Sequence, residues 1–168
     1  EILFGLISGS YTKNKSGGVL RKNTESFANE INVATDGTFK TAPTTGSILS
    51  SLNLLRIADY DHDDGNYDNC GMRSGFPDGK CIDWGNPQSE IFLEAVRYYA
   101  NLAPTTDFSV GTGDDKDVIS GLREVPWNNP VDDKNWCSPS TIVNFNASVA
   151  SYDIDQLGSS TVLPGTPN

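Results

Sequence analysis

The segment CIDWGNPQSEIFLEAVRYYANLAP, residues 81–104, constrains the fold more than any other part of the chain. Asn86 is a suitable N-cap, Pro87 fits the first helical position, and Pro104 ends the run. Apolar residues recur at helical spacing on one face, and Tyr98 falls on the flank. The predicted inward residues are Phe92, Ala95, Val96, Tyr99, Leu102 and Ala103, and the predicted outward residues are Glu90, Glu94, Arg97 and Asn101. The pattern predicts an amphipathic helix packed on a sheet.

Three shorter patterns predict strands. Residues 2–8, ILFGLIS, form a nearly unbroken apolar run, which is typical of a strand buried on both faces. Residues 31–41 predict a hairpin with a two-residue turn at positions 36–37, Asp-Gly. Residues 143–149 alternate, and this also predicts a strand. One face of that strand carries Val143, Phe145, Ala147 and Val149.

Strands that alternate with helices favour an α/β fold, here a mixed sheet with packed helices and long loops. A further helix is predicted from about Thr45, with Ser47 as its cap. A length of 168 residues indicates one domain, which we place at residues 1–157. Residues 158–168 are rich in Pro, Gly, Ser and Thr and predict a flexible tail or linker.

A long polar loop is predicted at residues 59–85. Cys70 and Cys81 bracket a Gly- and Pro-bearing stretch within it, and no Cys-x-x-Cys motif is present. This spacing favours a local disulfide over a zinc site if the compartment is oxidising. Cys137 is left over, and we expect it either to be a buried free thiol or to pair with a cysteine outside this chain.

The same loop holds an acidic cluster, DYDHDDGNYDN, at residues 59–69. Hard cations need several carboxylate oxygens that converge within one turn of chain, so alternate aspartates partly match a calcium loop. The match is incomplete, because Asp64 occupies the position of the EF-hand glycine and Cys70 that of the closing glutamate. Two interpretations therefore stay open, a hydrated acidic turn and a calcium site. The candidate ligands are Asp59, Asp61, Asp63 and Asp64, and Asp68 is the last acid of the cluster.

The charge balance excludes two classes of partner. The chain has 12 Lys and Arg against 22 Asp and Glu, a formal net charge of −10, and its basic residues do not form a stripe. Nucleic acid and anionic membranes would repel such a chain. No apolar run approaches the roughly 20 residues that span a bilayer. We therefore predict no nucleic-acid partner and no membrane insertion.

Enzymatic motifs are scarce. The only histidine is His62, and no Gly-x-Ser-x-Gly, His-Glu-x-x-His, phosphate-binding or dinucleotide-binding motif is present. The acid pairs at 114–115 and 132–133 are interpreted as hydrated loop residues. The prediction is a protein that is not an enzyme, with an extracellular hydrolase centred on His62 as a competing hypothesis. Five aromatic residues are predicted either to pack under loops or to form a recognition patch: Trp84, Trp127, Trp136, Tyr98 and Tyr99.

The stretch LISGSY, residues 6–11, is similar to the metal-dependent adhesion site of von Willebrand factor A domains, a strand that runs into Asp-x-Ser-x-Ser. Ser8 and Ser10 match this motif, but Leu6 stands where the aspartate would be. Without that carboxylate, we do not expect a divalent metal at this point.

Three segments together resemble a known family. GLISGSYTKNKSGGVLRKN (5–23), CIDWGNPQSEIFLEAVRYYA (81–100) and NWCSPSTIVNFNASVASYDID (135–155) are similar, in this order, to parts of the amino-terminal region of the PilC/PilY family. Its members are tip-associated adhesins and biogenesis factors of bacterial type IV pili. The resemblance implies an exported, non-enzymatic module with a von Willebrand factor A-like, Rossmann-like fold. The family's β-propeller and its calcium loop are absent from this sequence.

The resemblance also implies a location and partners. It places the protein at the pilus tip or the bacterial outer surface, where it acts in attachment and pilus assembly. The implied partners are pilin-like subunits, the remainder of the parent chain, and a host or substrate surface. The alternative is a calcium-binding regulatory module of an extracellular protein, with calcium as the one cofactor considered.

Overall fold

The computed structural model describes residues 2–41, 44–67, 70, 75–106, 115–154 and 157. Within these ranges the chain combines helices with short antiparallel strands, which confirms a mixed α/β composition. The predicted tail at 158–168 and the acids Asp68 and Asp114 lie outside the described residues. The elements are β1 (Leu3–Ser8), β2 (Val19–Ser26), a 3₁₀ helix (Phe27–Asn29), α1 (Ile48–Leu54), β3 (Tyr60–Asp61), β4 (Asn66–Tyr67), α2 (Gln88–Tyr99) and α3 (Asp115–Val118).

The strands form two separate pairs in the described part of the chain. β1 pairs with β2 and β3 pairs with β4, and both pairs are antiparallel. The predicted single mixed sheet is therefore not seen in these ranges. The von Willebrand factor A-like arrangement stays a prediction.

β1 is the exposed member of its pair, and β2 is the buried one. Residues 19–23 of β2 are all buried, whereas Phe4 of β1 is 44% exposed. The chain near Val125 covers the outer edge of β2, and the Val125 N–H donates to the Leu20 carbonyl at 2.9 Å. β1 has β2 on one side and no strand on its other side within the described residues. The predicted strand is confirmed, but its burial on both faces is wrong, because the first three residues of β1 are exposed and the last three are only half-buried.

Helix α2 forms where the sequence predicts it, but the buried face is not the predicted one. Glu90 and Glu94 are fully buried and Tyr98 is 3% exposed, whereas Phe92 is 45% exposed. Residues four apart share one face of a helix. The predicted orientation is wrong because the carboxylates and the phenol bind backbone donors inside the fold. One such donor is the Gly17 N–H, which lies 2.8 Å from Glu90 Oε2.

The amino-terminal end of α2 is held by a distant segment. Asn86, the predicted N-cap, instead forms an antiparallel backbone bridge with Ser151, and Pro87 takes the N-cap position without a side-chain bond. Asp153 accepts hydrogen bonds from the Ser89 N–H and, at 2.8 Å, from the Ser89 hydroxyl. The prediction for Asn86 is wrong because its side-chain oxygen accepts from Gln88 Nε2 at 2.8 Å and not from a backbone N–H of the helix. The cap comes from later in the chain.

The predicted hairpin after β2 forms with a different turn. Ile31 and Phe39 form a bridge, and the Asn32 N–H donates to the Thr38 carbonyl at 2.8 Å. The loop between the bonded residues is 33–37, so the two-residue turn is wrong. The Asn32 carbonyl accepts from three N–H groups inside this loop, which stabilises the longer connection.

Residues 143–149 do not form the predicted strand. Val143, Phe145 and Val149 are 86%, 87% and 90% exposed, and none of them pairs in a ladder. A strand needs a hydrogen-bonded neighbour as well as an alternating sequence. In this part of the chain the backbone bridge lies further on, at Ser151.

The apolar core is small. Tyr11, Ile119 and Leu122 are buried together, and they are flanked by partly buried residues of α1, the loop after it, the segment before α2 and α3: Leu54, Leu55, Ala58, Ile82 and Val118. The predicted disulfide joins Cys70 to Cys81, with a Cα–Cα distance of 4.8 Å.

Cys137 carries a free and exposed thiol, so its predicted burial is wrong. Its pairing with a cysteine outside this chain stays a prediction. Among the helices that the structure describes, none has the length and apolar character needed to cross a bilayer.

Candidate functional site

A buried ionic centre lies at the residues that are similar to an adhesion motif. Arg21 and Asp115 are both 0% exposed, and Arg21 Nη2 is 2.5 Å from Asp115 Oδ2. Arg21 Nε donates to Ser8 Oγ at 2.8 Å, and Ser10 Oγ donates to Asp115 Oδ1 at 2.9 Å. The guanidinium therefore places a positive charge between the motif serine and a carboxylate. We call Ser8, Ser10, Arg21 and Asp115 the ionic centre.

Backbone groups complete this centre. The Tyr11 and Thr12 N–H groups donate to Asp115 Oδ1 at 2.9 and 3.2 Å. Arg21 Nη2 also donates to the Gly9 carbonyl at 2.9 Å. A buried ion pair is tolerated only when its remaining hydrogen-bonding capacity is satisfied. The ionic centre thus fixes the loop after β1 against β2 and α3.

A second buried ion pair joins β2 to α1. Lys22 Nζ lies 2.7 Å from Glu30 Oε1, and Glu30 also accepts from the N–H groups of Ile48 and Leu49 at 2.8 and 2.9 Å. Burial acts to raise the pKa of Glu30, but the hydrogen bonds from Lys22 and the two N–H groups outweigh it and lower that pKa. Ser47 caps the same helix as predicted, because its Oγ accepts from the Ser50 N–H at 3.0 Å.

Glu94 is a further buried carboxylate, besides Asp115, Glu30 and Glu90. Burial raises its pKa above the ordinary glutamate value, and the opposing effects of Thr105 and the Arg97 charge are smaller. The Thr105 N–H lies 3.3 Å from Glu94 Oε1, and Arg97 Nε lies at the same distance. Glu94 therefore joins the end of α2 to the loop that follows it.

The acidic turn, residues 59–64, comprises β3 and most of its connection to β4 at the surface of the protein. Asp61 Oδ1 accepts from the Asp63 N–H at 2.7 Å, and Asp64 Oδ1 accepts from the Asn66 N–H at 2.9 Å. These two carboxylates stabilise the turn. In the described ranges no three His, Cys, Asp or Glu side chains are grouped to hold a metal ion. Calcium binding by Asp59, Asp61, Asp63 and Asp64 stays a prediction.

Aromatic rings pack against each other around the acidic turn. The His62 and Tyr60 ring centroids are 4.8 Å apart, and Tyr67 contacts both Tyr60, at 5.1 Å, and Trp84, at 5.6 Å. These contacts assign His62 a packing role. The hydrolase hypothesis gains no support from them.

The other aromatic residues that the sequence singles out are divided between the interior and the surface. The Trp127 ring lies 5.5 Å from the Tyr98 ring, against the buried side of α2. Trp136 is 73% exposed. A recognition role for this exposed ring stays a prediction.

An apolar groove runs along β1. Its walls are β1 with Gly9, one side of α2 and residues 141–145, and it encloses about 440 Å³. Residues of β2 and of the α1 region complete the lining: Leu20, Thr24, Leu52 and Leu55. Phe92, Ala95 and Tyr99, which the sequence places on the inward face of α2, line this groove. We call it the β1–α2 groove.

Comparison with known proteins identifies the family. Residues 4–167 match the family model of the second domain of PilY1 homologues. The chain belongs to the PilY1 homologue family. It is 31% identical over 168 aligned residues to the type IV pilus biogenesis factor PilY1 homolog of Xylella fastidiosa (strain Temecula1 / ATCC 700964). The alignment covers 91% of this chain and 11% of that relative. No solved structure matches the chain.

This PilY1-family chain builds its interior from residues that sequence reasoning missed. Asp115 was interpreted as a hydrated loop acid, which is wrong because it is fully buried against Arg21. The only sequence signal is indirect, since Arg21 follows Val19 and Leu20 in a segment with strand character. No local pattern joins it to an aspartate that lies 94 positions away.

Proposed function

We propose that the chain is a non-enzymatic module of a type IV pilus-tip adhesin and biogenesis protein, acting in surface attachment and pilus assembly. The observation that carries this proposal is the family match over residues 4–167. The relative's name describes it as a pilus biogenesis factor, and the chain spans 11% of that relative's length.

The buried charges support a non-enzymatic role. Arg21, Asp115, Glu30 and Glu94 are enclosed in the fold and engage backbone or side-chain partners. A catalytic acid or base must reach a substrate proton within hydrogen-bonding distance. Buried groups in these positions stabilise the fold instead.

The proposed location is extracellular, at the pilus tip or on the bacterial outer surface. The disulfide between Cys70 and Cys81 supports it, because disulfides persist in oxidising compartments. The proposed partners are pilin-like subunits, the remainder of the parent chain, and a host or substrate surface. A von Willebrand factor A-like architecture is part of the same proposal, supported by the similarity around Ser8 and Ser10.

An in-frame deletion tests the proposal. The codons for residues 2–157 of this chain are removed from the parent gene in its native host. The level of the parent protein is followed by immunoblot. We expect fewer surface pili by electron microscopy and weaker attachment, with restoration by the intact gene. The matched control is Asp133→Asn, at an exposed loop residue, which should leave piliation and attachment unchanged. Normal piliation together with normal attachment in the deletion strain would refute the proposal.

A further inference from the structure

Three apolar features that sequence patterns identify separately meet at the β1–α2 groove. They are the strand β1, the apolar face of α2, and the alternating segment that begins at residue 141. Phe4, Phe92 and Phe145 are 44%, 45% and 87% exposed around it. None of the lining residues in the described part of the chain is charged, although 20% of the whole sequence is. Contiguous apolar surface of this kind marks an interaction site.

Among the residues that the structure describes, one edge of β1 has no strand partner and is open to pairing. We call it the free edge. Natural edge strands are protected by charged side chains, prolines or a covering segment. β1 has the sequence LFGLIS, which contains none of these side chains. Residues 141–145 line the same groove, but no backbone hydrogen bond joins them to β1. The edge therefore presents N–H and C=O groups beside an apolar trough.

We infer that the β1–α2 groove receives an extended, mainly apolar strand from another part of the same polypeptide, and that this strand pairs with the free edge of β1. Strand addition uses main-chain hydrogen bonds for affinity and apolar pockets for alternate side chains. The groove offers both, because a strand edge that no other described strand pairs with and the apolar side of α2 lie along it.

Two observations favour a strand of the same polypeptide over a second copy of this chain. Each copy carries a formal charge of −10, so two copies repel each other. The matched relative is much longer than this chain, which corresponds to 11% of its length. A strand that a short flexible linker joins to the domain acts at an effective concentration on the order of millimolar, which a separate copy does not reach in dilute solution.

A photo-crosslinking experiment on the full-length parent protein tests this inference. Phe4→p-benzoylphenylalanine places the probe on the free edge, and Phe92→p-benzoylphenylalanine repeats the measurement from the opposite wall. Trp136→p-benzoylphenylalanine is the matched control, because Trp136 is an exposed aromatic residue that does not line the groove. Crosslinked peptides are identified by mass spectrometry at two protein concentrations.

We expect Phe4 and Phe92 probes to crosslink within the same polypeptide, to residues outside this 168-residue segment, and at equal yield at both concentrations. The yield should exceed that of the Trp136 control by about tenfold, because tethering keeps the strand in place. Crosslinks to residues 141–149 alone would overturn the inference, as would dimers whose yield rises with concentration. A yield no higher than that of the control would also overturn it. These outcomes do not depend on the proposed role in pili.

Discussion

Removing the charge of Asp115 should unfold a large fraction of the protein under mild denaturing conditions. The change Asp115→Asn keeps the shape of the side chain but leaves the Arg21 guanidinium buried without its counter-ion. Both residues are fully buried, and the ion pair is 2.5 Å long. Asp115 also accepts from Ser10 and from the Tyr11 N–H, so the change weakens the whole loop after β1.

The expected loss is about 3–5 kcal/mol in the free energy of unfolding, the range for breaking a buried ion pair by removing one partner. This is a large part of the total, since domains are stable by only about 5–15 kcal/mol. For a chain of this size, the melting temperature should fall by about 6–20 °C. The double variant Arg21→Met with Asp115→Asn should lose less than the sum of the two single variants, because it leaves no uncompensated charge.

The measurement is urea denaturation followed by tryptophan fluorescence and circular dichroism. Asp133→Asn is the control, since Asp133 is an exposed acid in the loop before Cys137. Exposed substitutions of this kind usually change stability by less than about 0.5 kcal/mol. The reasoning would be refuted if Asp115→Asn lost no more than the control, or if the single and double variants showed additive losses.

Four further predictions follow from the other contacts. Tyr98→Phe removes the phenol oxygen that accepts from the Thr24 N–H at 2.9 Å, and it should cost about 1–3 kcal/mol, whereas Tyr99→Phe should be nearly neutral. Equal losses in urea denaturation would contradict the buried face of α2. Asp153→Ala removes the cap on α2 and should cost about 1 kcal/mol and speed proteolysis near residues 141–150. Unchanged melting and cleavage would argue against this cap.

The raised pKa of Glu94 means that the folded state binds its proton more tightly than the unfolded state does. The free energy of unfolding should therefore fall as the pH rises from the unfolded pKa of about 4.3 through the folded pKa of Glu94. Glu94→Gln should remove this part of the pH dependence, because the amide does not titrate in this range. Denaturation curves between about pH 4 and 7 measure this, and an unchanged pH dependence in the variant would contradict it. For the acidic turn, the calcium hypothesis predicts heat in a calorimetric titration at about millimolar calcium that Asp61→Asn abolishes, and no heat would remove it.

Local sequence patterns predicted those elements whose determinants lie within one segment. β1 is recognised from six successive residues, and Ser47 caps α1 because its hydroxyl oxygen and the N–H that donates to it are three residues apart. The disulfide between Cys70 and Cys81 closes a loop with a separation of 11 residues. In each case the interacting groups are neighbours in the sequence, so composition and spacing are sufficient.

The buried face of α2 could not be predicted in this way. Binary patterning places Glu90 and Glu94 in water, because an isolated carboxylate is costly to bury. The structure buries them because Gly17 and Thr105 supply backbone N–H groups from other segments. The same limit applies to residues 143–149, which alternate as a strand does but pair with no described strand, and an alternating pattern alone does not show whether a partner strand exists.

The stability of this domain should depend on whether the β1–α2 groove is occupied, because many of its large apolar side chains lie there and not in the core. Among the described residues, buried polar and charged side chains outnumber buried apolar ones, while large apolar side chains line an open groove. Burying one such side chain stabilises a fold by about 1.5–3 kcal/mol, so an occupant of the groove adds an appreciable fraction of the total stability. Changes in the ionic centre should therefore lower the amount of folded parent protein, whereas a charge at Phe4 should leave the ionic centre intact and release only the docked strand. Comparing Asp115→Asn with Phe4→Lys in the full-length parent protein separates these two effects. Asp115→Asn should lower the stability of this domain itself, whereas Phe4→Lys should remove only the stability that the docked strand contributes.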